Sequence, residues 1–151
     1  MVDALPRGLE CTIITHSPTI ASALLGHTAD VFLIGGTIFK HSAVACGATA
    51  VEAANRITAD LFFLGVTGVH ATAGLTTGDA DEAAMKRVLA SRAAETYVLA
   101  SEEKIGAASR YTVLSFDEIA GVIADPSDAS EALAELQAAG VITSPRRATS
   151  T

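Results

Sequence analysis

Along the chain, short apolar runs alternate with stretches of helical spacing. The runs "CTIIT" (11–15), "DVFLIGG" (30–36), "DLFFLGV" (60–66), "TYVLAS" (96–101), "YTVLS" (111–115) and "GVIAD" (121–125) predict strands. "DVFLIGG" reads as a buried strand ending in two glycines, and "DLFFLGV" as the clearest central strand. Between them, "TIASALLG", "GATAVEAANRI", the segment from Asp79 to Arg92 and "DASEALAELQAA" space their apolar residues as helices do. Ser17 suits an N-cap with Pro18 at the first helical position. Gly140 suits the residue that closes the last helix, which Asp125-Pro126-Ser127 would open. "TIFKHSAVACG" (37–47) predicts two short strands, a hairpin beside the main sheet. "TGVHATAG" (67–74) reads as a polar loop, "FDEIA" as a turn, "EEKIGAASR" as a loop and "VITS" as a final edge strand. The tail "PRRATST" has no apolar pattern, so a folded domain over 1–143 and a flexible tail over 144–151 are expected.

Strand–helix alternation of this kind predicts an α/β fold, a three-layer sandwich on a mainly parallel sheet. Ligands of such sheets sit at the carboxyl ends of the strands. That places His16-Ser17, Gly35-Gly36, Gly65–Gly68 and Ser101–Lys104 together at one edge.

Composition narrows the function. Half of the 151 residues are hydrophobic but only 5% are aromatic, and there is no Trp, so the core is aliphatic. The formal net charge of −7 excludes a phosphodiester grip by this chain itself. Arg146 and Arg147, the adjacent arginines of the tail, make too small a basic footprint. Cys11 and Cys46 form neither a CxxC nor a Cys/His cluster, and read as reduced thiols of a cytoplasmic protein. No apolar run is long enough to span a bilayer, and no signal-peptide core precedes the first strand.

Candidate chemistry is sparse. His27, His41 and His70 show no metal-ligand spacing, and no standard nucleotide loop occurs, so no metal or cofactor is expected. "GLTTGDADEAAMKR" (74–87) has the richest content. Gly74 and Gly78 bracket Leu-Thr-Thr, which puts the Thr76 and Thr77 hydroxyls in a turn leading into a helix. Asp79 suits the N-cap, with Asp81 and Glu82 at the positive end of the dipole. Glu82 and Lys86 form an i,i+4 pair, worth roughly 0.2–0.5 kcal/mol on a helix surface. Ala84, Met85, Val88 and Leu89 are the expected buried stripe. A phosphate aimed at this helix start would meet three carboxylates. The acids therefore suit hydroxyl or carbonyl recognition, and a phosphate belongs near Lys104, His16 and the helix start at Ser17.

Taken in order, "TIITHSPTIASAL", "VFLIGGTIFKHSAVACG", "ADLFFLGVTGVHATAGLTTGDADEAAMKR" and "YVLASEEKIG" resemble the effector-sensing domain of DeoR-type bacterial transcriptional regulators. The resemblance runs from about Leu9 to Pro126, and its most specific part is the F-L-G…G…G-L-T-T…E-A…K series at 63–86. It implies a fold similar to the ribose-5-phosphate isomerase, glucosamine-6-phosphate deaminase and CoA-transferase group. It also implies a sensor of a phosphorylated sugar or related metabolite, a repressor of carbohydrate-metabolism genes. Carried over position by position, the effector contacts it implies are Thr15, His16, Ser17, Gly35, Gly36, Gly74, Thr76, Thr77, Glu82 and Lys104. Two positions depart from the family pattern: His16 stands where the family has Asn, and Ser101 where it has Asp. Relative to the family the domain is expected to be N-terminally incomplete, lacking a first strand with a Gly-Thr-Thr turn and the helix-turn-helix. Operator DNA is then a partner only through that absent region, a homo-oligomer is expected, and no membrane is involved. The competing expectations are a sugar-phosphate isomerase using Glu82 as base and Lys104 at the enediolate, and an oligomerisation module with a degenerate pocket.

Overall fold

The computed structural model describes residues 2–124 and 131–145. The helix opening expected at 125–127 and residues 146–151 of the tail expected over 144–151 lie outside these residues. The chain divides into two compact units, Met1–Arg56 and Ile57–Thr151.

The first unit holds a 3-10 turn at Val2–Ala4, then β1 (Thr12–Thr15), α1 (Pro18–Ala23), β2 (Asp30–Leu33), β3 (Thr37–Phe39), β4 (Val44–Cys46) and α2 (Ala48–Ala54). β1 and β2 pair in parallel with Thr15 opposite Leu33, and β3 and β4 form the expected antiparallel hairpin. β2 is less covered than its apolar sequence predicts, with Phe32 and Leu33 exposed. The α1 start matches the sequence. Ser17 has extended backbone, its hydroxyl accepts from the Ile20 amide at 3.4 Å, and Pro18 opens the helix. The same hydroxyl donates to the Ala43 carbonyl at 3.3 Å, which ties the α1 start to the link between β3 and β4. Both bonds are long, so Ser17→Ala should cost about 0.5–1 kcal/mol in chemical denaturation, the lower part of the N-cap range.

His27 fixes the N-terminal segment of this unit. Its Nδ1 accepts from the Ala29 amide at 3.0 Å while Nε2 lies 3.0 Å from the Pro6 carbonyl. A neutral ring with hydrogen on Nε2 satisfies both partners at once.

The second unit contains β5 (Ala59–Gly65), β6 (Gly68–His70), β7 (Gly74–Thr77), α3 (Ala80–Ser91), β8 (Ala93–Ala100), β9 (Tyr111–Leu114), β10 (Gly121–Ala124), α4 (Glu131–Ala138) and β11 (Thr143–Pro145). Its main sheet is wholly parallel, in the order β11-β10-β8-β5, and a smaller antiparallel sheet runs β6-β7-β9. α3 packs against strands of both sheets, and Leu64, Val69, Leu75, Val98, Val113, Val122 and Leu136 join one aliphatic core. The architecture is thus mixed α/β with a parallel sheet. α4 closes as its sequence predicts: Gly140 has φ +82°, its amide donates to the Gln137 carbonyl, and the Val141 amide reaches back to Leu136.

Three expectations are corrected here. β5 is an edge strand of the described sheet, because β8 pairs with one side of it only, and Leu61 and Phe63 are 51% and 44% exposed. "TGVHATAG" is the turn of a hairpin as much as a loop. Gly68–His70 pairs with Gly74–Thr76, and His70 Nδ1 accepts from the Thr72 and Ala73 amides at 3.2 and 3.3 Å. Leu75-Thr76-Thr77 is strand, since β6 and β9 flank it on both sides. Its two threonines are β-branched, which a pleated strand accommodates better than a turn.

Candidate functional site

In the first unit, the paired register of β1 and β2 brings two candidate segments to one sheet edge. The Ile34 amide donates to the Thr15 carbonyl at 2.8 Å as the two strands end. Thr15 and Ser17 are buried and His16 half-buried. The Thr15 hydroxyl accepts from the Ser17 amide at 3.1 Å, and the His16 carbonyl accepts from the Ala45 amide at 2.7 Å. Gly36 is required by close packing: a Cβ there would lie 2.8 Å from the Ala50 Cβ and 2.9 Å from the Cys46 carbonyl oxygen. Gly35 has open space at the same point. This edge is therefore tightly knit backbone around Gly36, with Gly35 beside it able to accept a close neighbour.

In the second unit, β5 and β8 are parallel neighbours with Gly65 opposite Leu99. Gly65–Gly68 and Ser101–Lys104 consequently follow strand ends at the same carboxyl edge. Lys104 ends a 3-10 turn at Glu102–Lys104 and is half-buried. Beside it, the Ser101 hydroxyl donates to the Glu103 carboxylate. That bond first, then a backbone amide and Lys104, hold the Glu103 carboxyl below the usual range. Gly74 lies at the opposite end of β7, in the β6–β7 turn, with φ +74° and room for a Cβ only 3.0 Å from the Leu114 carbonyl. A glycine is needed there on both counts.

Thr77, Glu82 and Lys86 come together in a buried polar network. Asp79 caps α3, its carboxylate accepting from the Glu82 amide at 2.9 Å. Glu82 is 5% exposed, and its Oε2 accepts from the Thr77 hydroxyl at 3.0 Å. Lys86, 7% exposed, donates to Glu82 Oε1 at 2.8 Å and stands 3.5 Å from the Thr77 oxygen. The Thr76 hydroxyl is committed separately, accepting from the Ser109 amide at 2.8 Å. The Glu82–Lys86 pair expected on the helix surface is thus buried, and the buried face of α3 is Glu82, Ala83, Met85 and Lys86. Ala84, Val88 and Leu89 are only half-buried, so the expected stripe is rotated around the helix.

Three residues outside the implied effector contacts hold this region in place. Lys86 completes the ion pair. Ser109 donates its amide to Thr76, and its side chain meets the Thr67 hydroxyl at 2.8 Å. Gly68 allows the Ala107 carbonyl and the Thr76 hydroxyl to approach its backbone. The i,i+4 spacing signalled the Lys86 pair but not its burial. Among the described residues no cluster of three or more metal-ligating side chains occurs, and no helix is long and apolar enough to cross a membrane. A shallow cavity bordered by Phe116, Ile119, Ala139 and Ile142 shares no residue with the candidate set.

Comparison with known proteins gives a consistent picture. A family model described as the DeoR C terminal sensor domain matches residues 1–126. The chain is 34% identical over 128 residues to the HTH-type transcriptional regulator GlpR of Haloferax volcanii, covering 85% of this chain and 50% of that protein. It is 30% identical over 122 residues to the uncharacterized HTH-type transcriptional regulator FruR of Bacillus subtilis, covering 81% and 46%. A putative aga operon transcriptional repressor of Escherichia coli O157:H7 is 26% identical over 128 residues, covering 84% and 48%. The chain spans about half the length of these curated relatives.

Proposed function

The chain belongs to the family of DeoR C-terminal sensor domains, and on that premise we infer that it binds a phosphorylated sugar or related metabolite and acts in transcription regulation as a repressor's effector switch. DNA contact falls to a separate helix-turn-helix domain of the regulator rather than to this sensor domain, consistent with the net charge of −7. The effector acts by population shift, binding one arrangement of a homo-oligomeric, cytoplasmic regulator better than another. The fold group proposed is that of the ribose-5-phosphate isomerase-like sandwiches.

The residues proposed for effector contact are Thr15, His16, Ser17, Gly35 and Gly36 in the first unit, and Gly74, Thr76, Thr77, Glu82 and Lys104 in the second. In the second unit, Lys104 is the candidate for the phosphate. Thr77 and Glu82 form the wall for sugar hydroxyls. The observation that carries the non-catalytic reading is the ion pair. Glu82 already accepts from Lys86 and Thr77 in a buried setting, an arrangement suited to a fixed hydrogen-bonding group rather than to a base that gains and loses a proton.

Thermal unfolding with fructose 6-phosphate, ribose 5-phosphate or glucosamine 6-phosphate tests this reading. A ligand held at a hundred times its dissociation constant adds about 2.7 kcal/mol of stability. At least one of the three should raise the melting temperature by several degrees, while inorganic phosphate at the same concentration should not. Equal response to all four, or to none, contradicts a sugar-phosphate sensor.

A further inference from the structure

We propose that Lys86 is a positioning residue of the sensor: it orients the Glu82 carboxylate and the Thr77 hydroxyl for sugar recognition without touching the sugar. The inference rests on the effector reading above and adds to it a residue that reading does not contain. Three observations lead to it. Lys86 is almost fully buried, although lysine is among the residues least often found inside a protein. Its ammonium lies 2.8 Å from one carboxylate oxygen of Glu82, while the other oxygen faces the Thr77 hydroxyl 3.0 Å away. The Glu82 backbone is fixed as well, since its amide is held by the Asp79 cap.

The carboxylate is therefore constrained at both oxygens and at its backbone. A charged pair in such surroundings is a costly way to gain stability, because well-packed apolar residues of similar volume often serve as well or better. What a charged pair does supply is direction. With Lys86 on Oε1, the Thr77 hydroxyl proton points at Oε2, and its oxygen is oriented by that bond. Loss of Lys86 frees the carboxylate to rotate and removes the reason for the Thr77 hydroxyl to keep its orientation. Glu82 and Thr77 would remain present while losing their shared geometry.

The test compares Lys86→Met, Lys86→Gln and Lys86→Arg with Met85→Ala, using titration calorimetry with fructose 6-phosphate, ribose 5-phosphate and glucosamine 6-phosphate. Met85 is fully buried on the same helix face but makes no polar contact with Glu82, so Met85→Ala is a packing lesion that lowers stability through another route. Melting temperature is recorded for every variant. A positioning role predicts that Lys86→Met weakens binding of the preferred sugar phosphate roughly tenfold or more, the loss of about one hydrogen bond to a charged group. Met85→Ala should bind within about twofold of the parent at a similarly lowered melting temperature, and Lys86→Arg should recover most of the affinity. If Lys86→Met does not fold, the same comparison is made with Lys86→Gln, which keeps a hydrogen-bond donor without the charge. Binding by the folded Lys86 variant equal to the parent overturns the inference, as does an equal loss in Met85→Ala. If the parent binds none of the three sugar phosphates, the sensor reading fails and this inference falls with it. A parent that binds while the Lys86 variants bind equally well removes the positioning role alone.

Discussion

Lys86→Met is expected to destabilise the second unit by about 3–5 kcal/mol, the cost of breaking a buried ion pair from one side. The magnitude follows from what is left behind. Glu82 and Lys86 have side chains only 6% and 9% exposed, so methionine fills space but leaves a carboxylate that water reaches poorly. The Thr77 hydroxyl still donates to it, yet one neutral donor does not replace an ammonium at 2.8 Å. Glu82→Gln/Lys86→Met removes both charges and should recover most of the loss, because the residual polar group is a neutral amide. Denaturant unfolding of the parent, the single and the double variant measures this directly. A single variant within about 0.5 kcal/mol of the parent would place the pair in surface-like surroundings and contradict the burial.

Gly68→Ala is the second large effect, expected at about 3 kcal/mol and arising from steric crowding alone. A Cβ on Gly68 would overlap the Ala107 carbonyl oxygen and come within 2.6 Å of the Thr76 hydroxyl oxygen. The first of these is backbone, so no rotamer change relieves it. The link from β8 to β9 must move away from β6, and with it the Gly106 amide that donates to the Val69 carbonyl at 2.8 Å. Forced insertion of a methyl group into packed surroundings costs about 1–3 kcal/mol, and a backbone obstacle puts this site at the upper end. Gly78→Ala is the matched control, since nothing lies within 4 Å of its Cβ position. It should be neutral or stabilising by up to about 1 kcal/mol, through a less flexible unfolded chain. Equal midpoints for the two variants would contradict the close approach at Gly68.

The sequence was most informative where local chemistry decides the structure. Ser17-Pro18, Asp79 and Gly140 marked helix ends because caps are set by one residue and its immediate neighbours. The hairpin at 37–46 was readable from two short runs around a polar turn. What escaped was set by tertiary neighbours. The run "DLFFLGV" looks central because it is apolar throughout, but centrality is a count of pairing partners, and among the described residues only β8 pairs with β5. "GLTT" looks like a turn because two glycines flank it, yet β6 and β9 hold it as a strand. The α3 face was misjudged for a related reason. Hydropathy assigns Glu82 and Lys86 to water, while the structure pairs them inward, and no spacing rule distinguishes an inward pair from an outward one. Of the candidate site, strand-end placement of Thr15–Ser17 with Gly35-Gly36, and of Gly65–Gly68 with Ser101–Lys104, followed from the rule for parallel strands. The burial of Lys86, the Ser109 bond to Thr76 and the close approach at Gly68 required coordinates.

Whether this domain reads a sugar phosphate is decided by titration calorimetry of the parent chain and Lys104→Ala with fructose 6-phosphate, ribose 5-phosphate and glucosamine 6-phosphate. Saturable binding of at least one of them by the parent is expected, weakened about tenfold or more when the Lys104 charge is removed. Absence of saturable heat with every one of these ligands, or binding indifferent to Lys104, would contradict that reading.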